Sequence, residues 1–148
     1  MNELVIRPIG LGDRGAWEPL WAGYLAFYEK TVAPEVTEFL WTRVANSGDV
    51  LGFLAIGPND EAVGLVHFLY HASTSRPGGS CYLEDLFVLP HARGQRVGRR
   101  LIAAVAEAAR MRGALVLYWQ TEEFNGTARR LYERVAKRSP FIRYQIDL

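Results

Sequence analysis

The period of the hydrophobic positions changes several times along the chain, and each change marks an element. Leu4-Val5-Ile6 before Arg7-Pro8 is a short β-branched run closed by Gly10 and Gly12, which predicts a first strand. Asp13 is placed to cap a helix, and beyond it Trp17, Leu20, Trp21, Tyr24 and Phe27 or Tyr28 recur every three or four residues, giving one aromatic face. Pro34 opens a second helix running through Leu40 and Val44 to about Asn46. The period then shortens: Val50 to Ile56 and Ala62 to Tyr70 read as strands joined at Gly57-Pro58-Asn59-Asp60, and Cys81 to Leu89 as a third after the loop from Ser73 to Ser80. A helix over 95–112 carries Val97, Leu101, Ala104, Val105 and Ala108 as its apolar stripe and stops at Gly113. Leu115 to Gln120 is a strand, Asn125 to about Ala136 a helix and Phe141 to Asp147 a last strand, with no internal repeat, low-complexity stretch or linker between them.

A chain of 148 residues with 49% hydrophobic residues builds one well-buried core, so residues 1–148 read as a single domain. No window approaches the roughly 20 apolar residues that span a bilayer, and the first residues carry no apolar signal core, so no membrane partner and a cytoplasmic location are expected. Cys81 is alone, which rules out an intrachain disulfide, and no Cys/His cluster has metal-ligand spacing. His67 and His71 are four residues apart on a strand, roughly 13 Å along one face, too far to share an ion. No metal is expected.

Charge adds an asymmetry that the net value of +1 hides. Residues 1–92 hold five Lys/Arg against eleven Asp/Glu, and residues 93–148 hold twelve against five. The second half suits an anion and the first a cation, although a solvated acidic face also explains such an excess. Nucleic acid is disfavoured as the anion because the basic residues centre on one turn and its helix rather than forming a continuous tail.

That turn is the most chemically specific stretch. The apolar run Leu86-Phe87-Val88-Leu89 stops at Pro90, and Arg93-Gly94-Gln95-Arg96-Val97-Gly98-Arg99-Arg100 leads into the helix. Amides at a helix N-terminus have no intrahelical partner and point, with the positive end of the helix dipole, into the turn. Gly94 and Gly98 allow close backbone approach, and four arginines within eight residues add donors for phosphate. The pattern implies a diphosphate. No Gly-Lys-Ser/Thr follows, as a nucleotide-hydrolase loop requires, and the Gly-x-Gly-x-x-Gly dinucleotide fingerprint is missing.

Arg93 through Gly98 after a strand resembles motif A of the GNAT superfamily of acetyl-CoA-dependent N-acetyltransferases, with Arg96 standing where the middle glycine is usual. The element order matches that family over essentially the whole chain. Asn125-Gly126-Thr127-Ala128-Arg129-Arg130-Leu131-Tyr132 is similar to its Asn-x-x-Ala-x-x-Leu-Tyr signature. The resemblance implies an α/β (α+β) GNAT fold: a mixed, mostly antiparallel central sheet flanked by about four helices, with strands splayed at the CoA site. The run Tyr82-Leu83-Glu84-Asp85 and the chain's end resemble the polyamine and histone-type subgroup, in which dimers are common.

What the resemblance implies for residues follows position by position. Acetyl-CoA is the co-substrate, with the pyrophosphate held by Arg93, Gly94, Gln95, Arg96, Val97, Gly98 and Arg99, the pantetheine arm along Leu86, Phe87 and Val88, and further contacts from Asn125 and Ala128. Glu84 is the general base, through a water, and Tyr132 the general acid for the departing thiolate. Strand alternation sends Glu84 and Asp85 to opposite faces, so one of them faces the cleft. Tyr132 lies seven residues after Asn125, on the same helix face. Asn125 is also a good N-cap by residue type, and Tyr132 an ordinary core aromatic. Trp21, Tyr24, Tyr28, Glu29 and Asp85 are the candidates for binding a cationic acceptor, a polyamine-like amine or a lysine, through cation–π and ionic contacts. Two rival readings are an acyl-CoA-binding sensor without turnover, which needs neither Glu84 nor Tyr132, and a nucleic-acid-binding module built on the basic second half.

Overall fold

The computed structural model describes residues 3–46 and 48–148. Met1, Asn2 and Ser47 lie outside them, the first two at the start of the stretch read for a signal core. Among the described residues, five strands form one sheet in the order β1-β2-β3-β4-β5. They are β1 (Val5–Pro8), β2 (Leu51–Ile56), β3 (Ala62–His71), β4 (Ser80–Val88) and β5 (Leu117–Tyr118), antiparallel except for the parallel pair β4 and β5. Helices α1 (Arg14–Phe27) and α2 (Pro34–Ala45) fall between β1 and β2, α3 (Val97–Arg112) crosses from β4 to β5, and α4 (Gly126–Val135) follows β5. No helix among these residues is long and apolar enough to cross a membrane.

Each face of the sheet has its own core. On one, Trp17, Leu20, Trp21 and Tyr24 of α1 and Val44 of α2 pack on Leu54, Leu65 and Phe87. On the other, Val97, Leu101, Ile102, Val105 and Ala109 of α3 pack on Ala55, Val63, Val66, Phe68, Cys81 and Leu83. Ile102 and Ala109 thus stand where the sequence reading put Ala104 and Ala108, which are half-buried. At fully buried positions such as Leu54, Leu65 and Leu101, each side chain is worth about 1.5–3 kcal/mol of transfer free energy.

Three local expectations change. Asp13 precedes α1, but its carboxylate does not cap it; Oδ2 instead accepts the Gly10 N–H at 2.7 Å, and both oxygens take the Arg7 guanidinium, at 2.7 and 2.9 Å. The predicted strand over 115–120 shrinks to two residues. The predicted last strand over Phe141 to Asp147 is not formed: the segment after α4 has no regular structure, and Phe141, Tyr144 and Ile146 are 86–89% exposed. An apolar alternating segment becomes a strand only where a neighbour supplies ladder partners.

Candidate active site

At the C-terminal end of β4 the chain makes a short 3-10 turn over Pro90–Ala92, and buried Ala92 anchors it before the arginine turn. Gly94 has φ +81° and Arg96, the residue preceding α3, φ +64°. The place where the family pattern has glycine is therefore a left-handed position, which costs a non-glycine residue roughly 1–2 kcal/mol. Gly94 serves conformation, since a Cβ there meets nothing within 4 Å; Gly98 serves packing, since a Cβ there would stand 3.3 Å from Leu131 of α4.

The first return bond of α3 runs from Arg100 N–H to Arg96 O, so the amides of Val97, Gly98 and Arg99 have no acceptor within the helix. Val97 is 3% exposed, so it offers a ligand its backbone only. Arg93 donates from Nε to the Val88 carbonyl at 3.1 Å, and its guanidinium lies 5.3 Å from the Phe27 ring centroid and 5.9 Å from that of Phe87. It straps the turn to β4 and α1. Gln95 closes the turn on the His91 carbonyl at 3.2 Å, and Arg100 is drawn to the Leu4 carbonyl at 2.7 Å. Arg96 and Arg99 are exposed. The donor set, backbone amides with cationic side chains around a helix start, fits a diphosphate.

The ladder between β4 and β5 covers only Cys81 with Leu117 and Tyr82 with Tyr118. From Leu83 to Val88 the edge of β4 on that side has no strand beside it among the described residues. The splay implied by the family resemblance is present as this short ladder. Leu86 and Val88 turn their side chains into the α3-side core, while Phe87 packs under α1, where a Cβ on Gly23 would come within 2.7 Å of its ring. What remains along this edge is backbone, suited to an amide-bearing arm.

Glu84 and Asp85 depart from simple alternation. In the pairing of β3 with β4, His67 faces Asp85 and Phe68 faces Leu83, leaving Glu84 as the extra residue of a β-bulge. Before it Cys81 and Leu83 face α3; after it Leu86 and Val88 do. The expectation of opposite faces is therefore overturned, because the bulge inserts one residue into the period. Both carboxylates act on the Tyr24 hydroxyl, whose pKa is raised by burial, then by the charge and hydrogen bond of Asp85, with a smaller push from Glu84. Glu84 is exposed, yet its carboxyl is pushed up, by desolvation first and by the Asp85 charge second; Lys30, His67 and Arg143 pull it back.

Asp85 is half-buried and bound from behind. The fully buried His67 lies with Nδ1 2.9 Å from Asp85 Oδ2, and the Trp17 indole donates to His67 Nε2 at 3.0 Å. Trp21 stacks on Tyr24 with centroids 5.4 Å apart and donates to Thr37 Oγ1 at 3.2 Å. Tyr28 stands 4.9 Å from Tyr24. Glu29 is exposed and ends α1 at φ +52°, and the next residue enters the cleft instead: Lys30 Nζ lies 5.8 Å from the ring centroids of both Tyr24 and Tyr28.

Tyr132 of α4 closes the other side. Burial, with a smaller contribution from Tyr28, pushes its hydroxyl up to about 12. Asn125 sits before α4 without capping it: its Nδ2 donates to Thr121 Oγ1 at 3.3 Å, and its side chain lowers the Tyr28 phenol against the upward push of burial. Ala128 is half-buried one turn further along. The Glu122 charge also reaches Tyr28. Sequence reading missed Trp17 as an indole donor, Lys30, Glu122 and Arg143, because each comes to the cleft from a separate element and carries no local motif; His67, which it placed on the sheet as a residue that approaches substrate, lies behind Asp85 instead. Cys81 is buried, with its thiol pushed up to about 11, which leaves almost no thiolate at neutral pH.

The model of the acetyltransferase (GNAT) family matches residues 11–136. The D-amino-acid N-acetyltransferase HPA3 of Saccharomyces cerevisiae is 32% identical over 146 residues, 97% of this chain and 91% of that protein. The thialysine N-epsilon-acetyltransferase of Mus musculus is 35% identical over 86 residues, 58% of this chain and 46% of its own. A crystal structure of a probable acetyltransferase superposes with a TM-score of 0.87 over 97% of each chain at 24% identity. An arginine-rich turn at a helix start, an opened strand edge and a carboxylate-and-tyrosine cleft thus meet in one chain with these relatives: it belongs to the GNAT family and is an acetyl-CoA-dependent N-acetyltransferase.

Proposed function

We propose that the enzyme transfers the acetyl group directly to a primary amine of a small cationic acceptor, polyamine-like or a lysine, bound between α1 and the bulge of β4. The observation that carries this reading is the bulge itself, which brings Glu84 and Asp85 to one cleft beside Tyr24, Tyr28 and Tyr132. Asp85 holds the acceptor's ammonium. Glu84, through a water, removes the proton so that the neutral amine attacks the thioester carbon. An amide of the open β4 edge, at Leu86 to Val88, polarises the carbonyl. As the carbon–sulfur bond breaks, Tyr132 gives its proton to the sulfur and regains one, through water, from the nitrogen of the new amide, while the proton on Glu84 leaves to solvent. Arg96, Arg99 and the amides of the turn hold the pyrophosphate, Arg93 braces them, and Asn125 and Ala128 line the α4 side.

Two observations favour an amino acid within this class. Lys30 and Arg143 place positive charge near Glu84, which suits an acceptor that also carries a carboxylate. The relatives' names specify a D-amino acid and thialysine. Trp21 supports Tyr24 from beneath, and Glu29 lies at the rim.

Calorimetry with acetyl-CoA, with thiol release followed across spermidine, lysine, D-amino acids and kanamycin, tests the reading. Turnover on spermidine or lysine supports it; binding without thiol release on any amine supports a sensor, and turnover on peptides alone moves the acceptor to proteins. The cytoplasm, where acetyl-CoA is made and used, is the proposed location, with no nucleic-acid or membrane partner. A homodimer is proposed from the exposed Phe141, Ile142, Tyr144 and Ile146, apolar side chains that a second copy would cover. Light scattering on wild type and on Phe141→Ser/Ile146→Ser tests it: a monomer in both sinks the dimer.

A further inference from the structure

His67 is buried completely at a position where the neighbouring residue on the same strand face, Leu65, is part of the apolar core. An imidazole there is costly unless both nitrogens are satisfied, and both are. An indole N–H only donates, so the bond from Trp17 Nε1 requires a bare lone pair on His67 Nε2. The ring proton therefore sits on Nδ1 and is donated to Asp85 Oδ2. The opposite tautomer would lose both bonds at once.

We propose that Trp17 and His67 are a positioning pair, which commits Oδ2 of Asp85 to the protein and so aims the carboxylate's remaining acceptor capacity at the ammonium of the amine substrate. An ionised carboxylate has about four acceptor sites. His67 takes one from behind the sheet, so the carboxylate is fixed at Oδ2 and its other acceptor sites stay open toward the cleft, where the Asp85 charge also reaches the Tyr24 phenol. The register makes this possible: His67 and Asp85 are directly paired across β3 and β4, and the bulge at Glu84 brings that pair to the α1 face. The ionisable groups around Asp85 are Tyr24 and Tyr28 on α1, His67 on β3, and Tyr82 and Glu84 on β4. Among them only the His67 ring is bonded on its far side to a group that fixes its proton.

This inference rests on the acceptor site proposed above, and the experiment separates the two. Thiol release from acetyl-CoA is measured with spermidine, lysine and kanamycin for the wild-type chain, His67→Leu, His67→Asn and Trp17→Phe, each with its melting curve. His67→Leu is expected to raise the acceptor KM about tenfold or more, the scale of a lost charge-assisted hydrogen bond, with the KM for acetyl-CoA unchanged. His67→Asn keeps a side-chain N–H where Nδ1 stood and is expected to recover most of that loss. If Leu and Asn lose activity alike, or the loss lies in kcat alone, the pair is structural and the inference falls. Should His67→Leu not fold, Trp17→Phe and nitrogen NMR of the wild-type ring decide. The expected signature is the Nδ1-protonated tautomer in wild type; an Nε2-protonated ring in wild type overturns the assignment. Wild type that binds acetyl-CoA yet acetylates none of the three amines overturns the acceptor site itself.

Discussion

Tyr132 stands edge-on to Trp119, their ring centroids 5.4 Å apart and their planes at 67°. The contact joins α4 to the segment after β5 and sets the phenol across the opened edge of β4. Its hydroxyl, pushed up to about 12 by burial, keeps its proton throughout the neutral range. Tyr132→Phe is therefore expected to lower kcat by about 10² to 10³ while leaving acetyl-CoA affinity in place. It leaves any alkaline limb below pH 10 where it was, because the wild-type phenol does not ionise there. Equal kcat values for the two enzymes would remove Tyr132 from the chemistry.

As the proposed general base, Glu84 is expected to set the acid side of the pH profile. Burial and then the Asp85 charge raise its carboxyl above the ordinary value of about 4.3, and a base works only when ionised. The rate kcat/KM should thus rise with pH through a midpoint above that value. Glu84→Gln should reduce it by about 10² and abolish the limb. Lys30 opposes the upward shift, so Lys30→Met should move the limb to higher pH. A midpoint at or below 4.3 would show that the limb belongs to another group.

Arg96 at φ +64° carries strain that glycine would not. Arg96→Gly should be more stable in urea than Arg96→Ala by about 1 kcal/mol, because alanine keeps the left-handed cost and glycine does not. Both lose the guanidinium, so both should bind CoA more weakly and with a shallower salt dependence. Equal stability would mean that the turn relaxes when the side chain is shortened.

The Arg7 and Asp13 pair makes stability depend on acid. Arg7 first, and the Gly10 amide with it, hold the Asp13 carboxyl below its ordinary range. A lowered carboxylate pKa stabilises the fold fully above the unfolded value near 4, and the contribution is lost as pH falls through the folded value. Asp13→Asn should cost about 1 kcal/mol at pH 7, discounted for the partly exposed guanidinium, and should flatten the decline below pH 4. Parallel curves for the two proteins would contradict this.

Local periodicity carried much of the fold. The aromatic stripe from Trp17 to Tyr24, the apolar stripe of α3 and the hairpin of β2 and β3 each follow from neighbours within a few residues, and their boundaries fall within two residues of the sequence reading. The last strand did not follow, because alternation in Phe141 to Asp147 states only what a strand would bury, and no partner stands beside it. Asp13 has the residue type of a helix cap, while its partner, Arg7, is on another element.

The sequence by itself determined the arginine turn, since strand, glycines, arginines and helix start are contiguous, and it supplied the residue types proposed for acid, base and cofactor contacts. Tertiary structure alone decided how they meet. Whether Glu84 and Asp85 share a face depends on a bulge set by pairing with β3, and the bonding of Asp85 depends on an imidazole 18 residues away and an indole 50 residues from that. Lys30 reaches the tyrosines from a left-handed turn at Glu29, just past the end of α1. Side-chain chemistry is written locally, but cross-strand register and buried hydrogen bonds are properties of the packed chain.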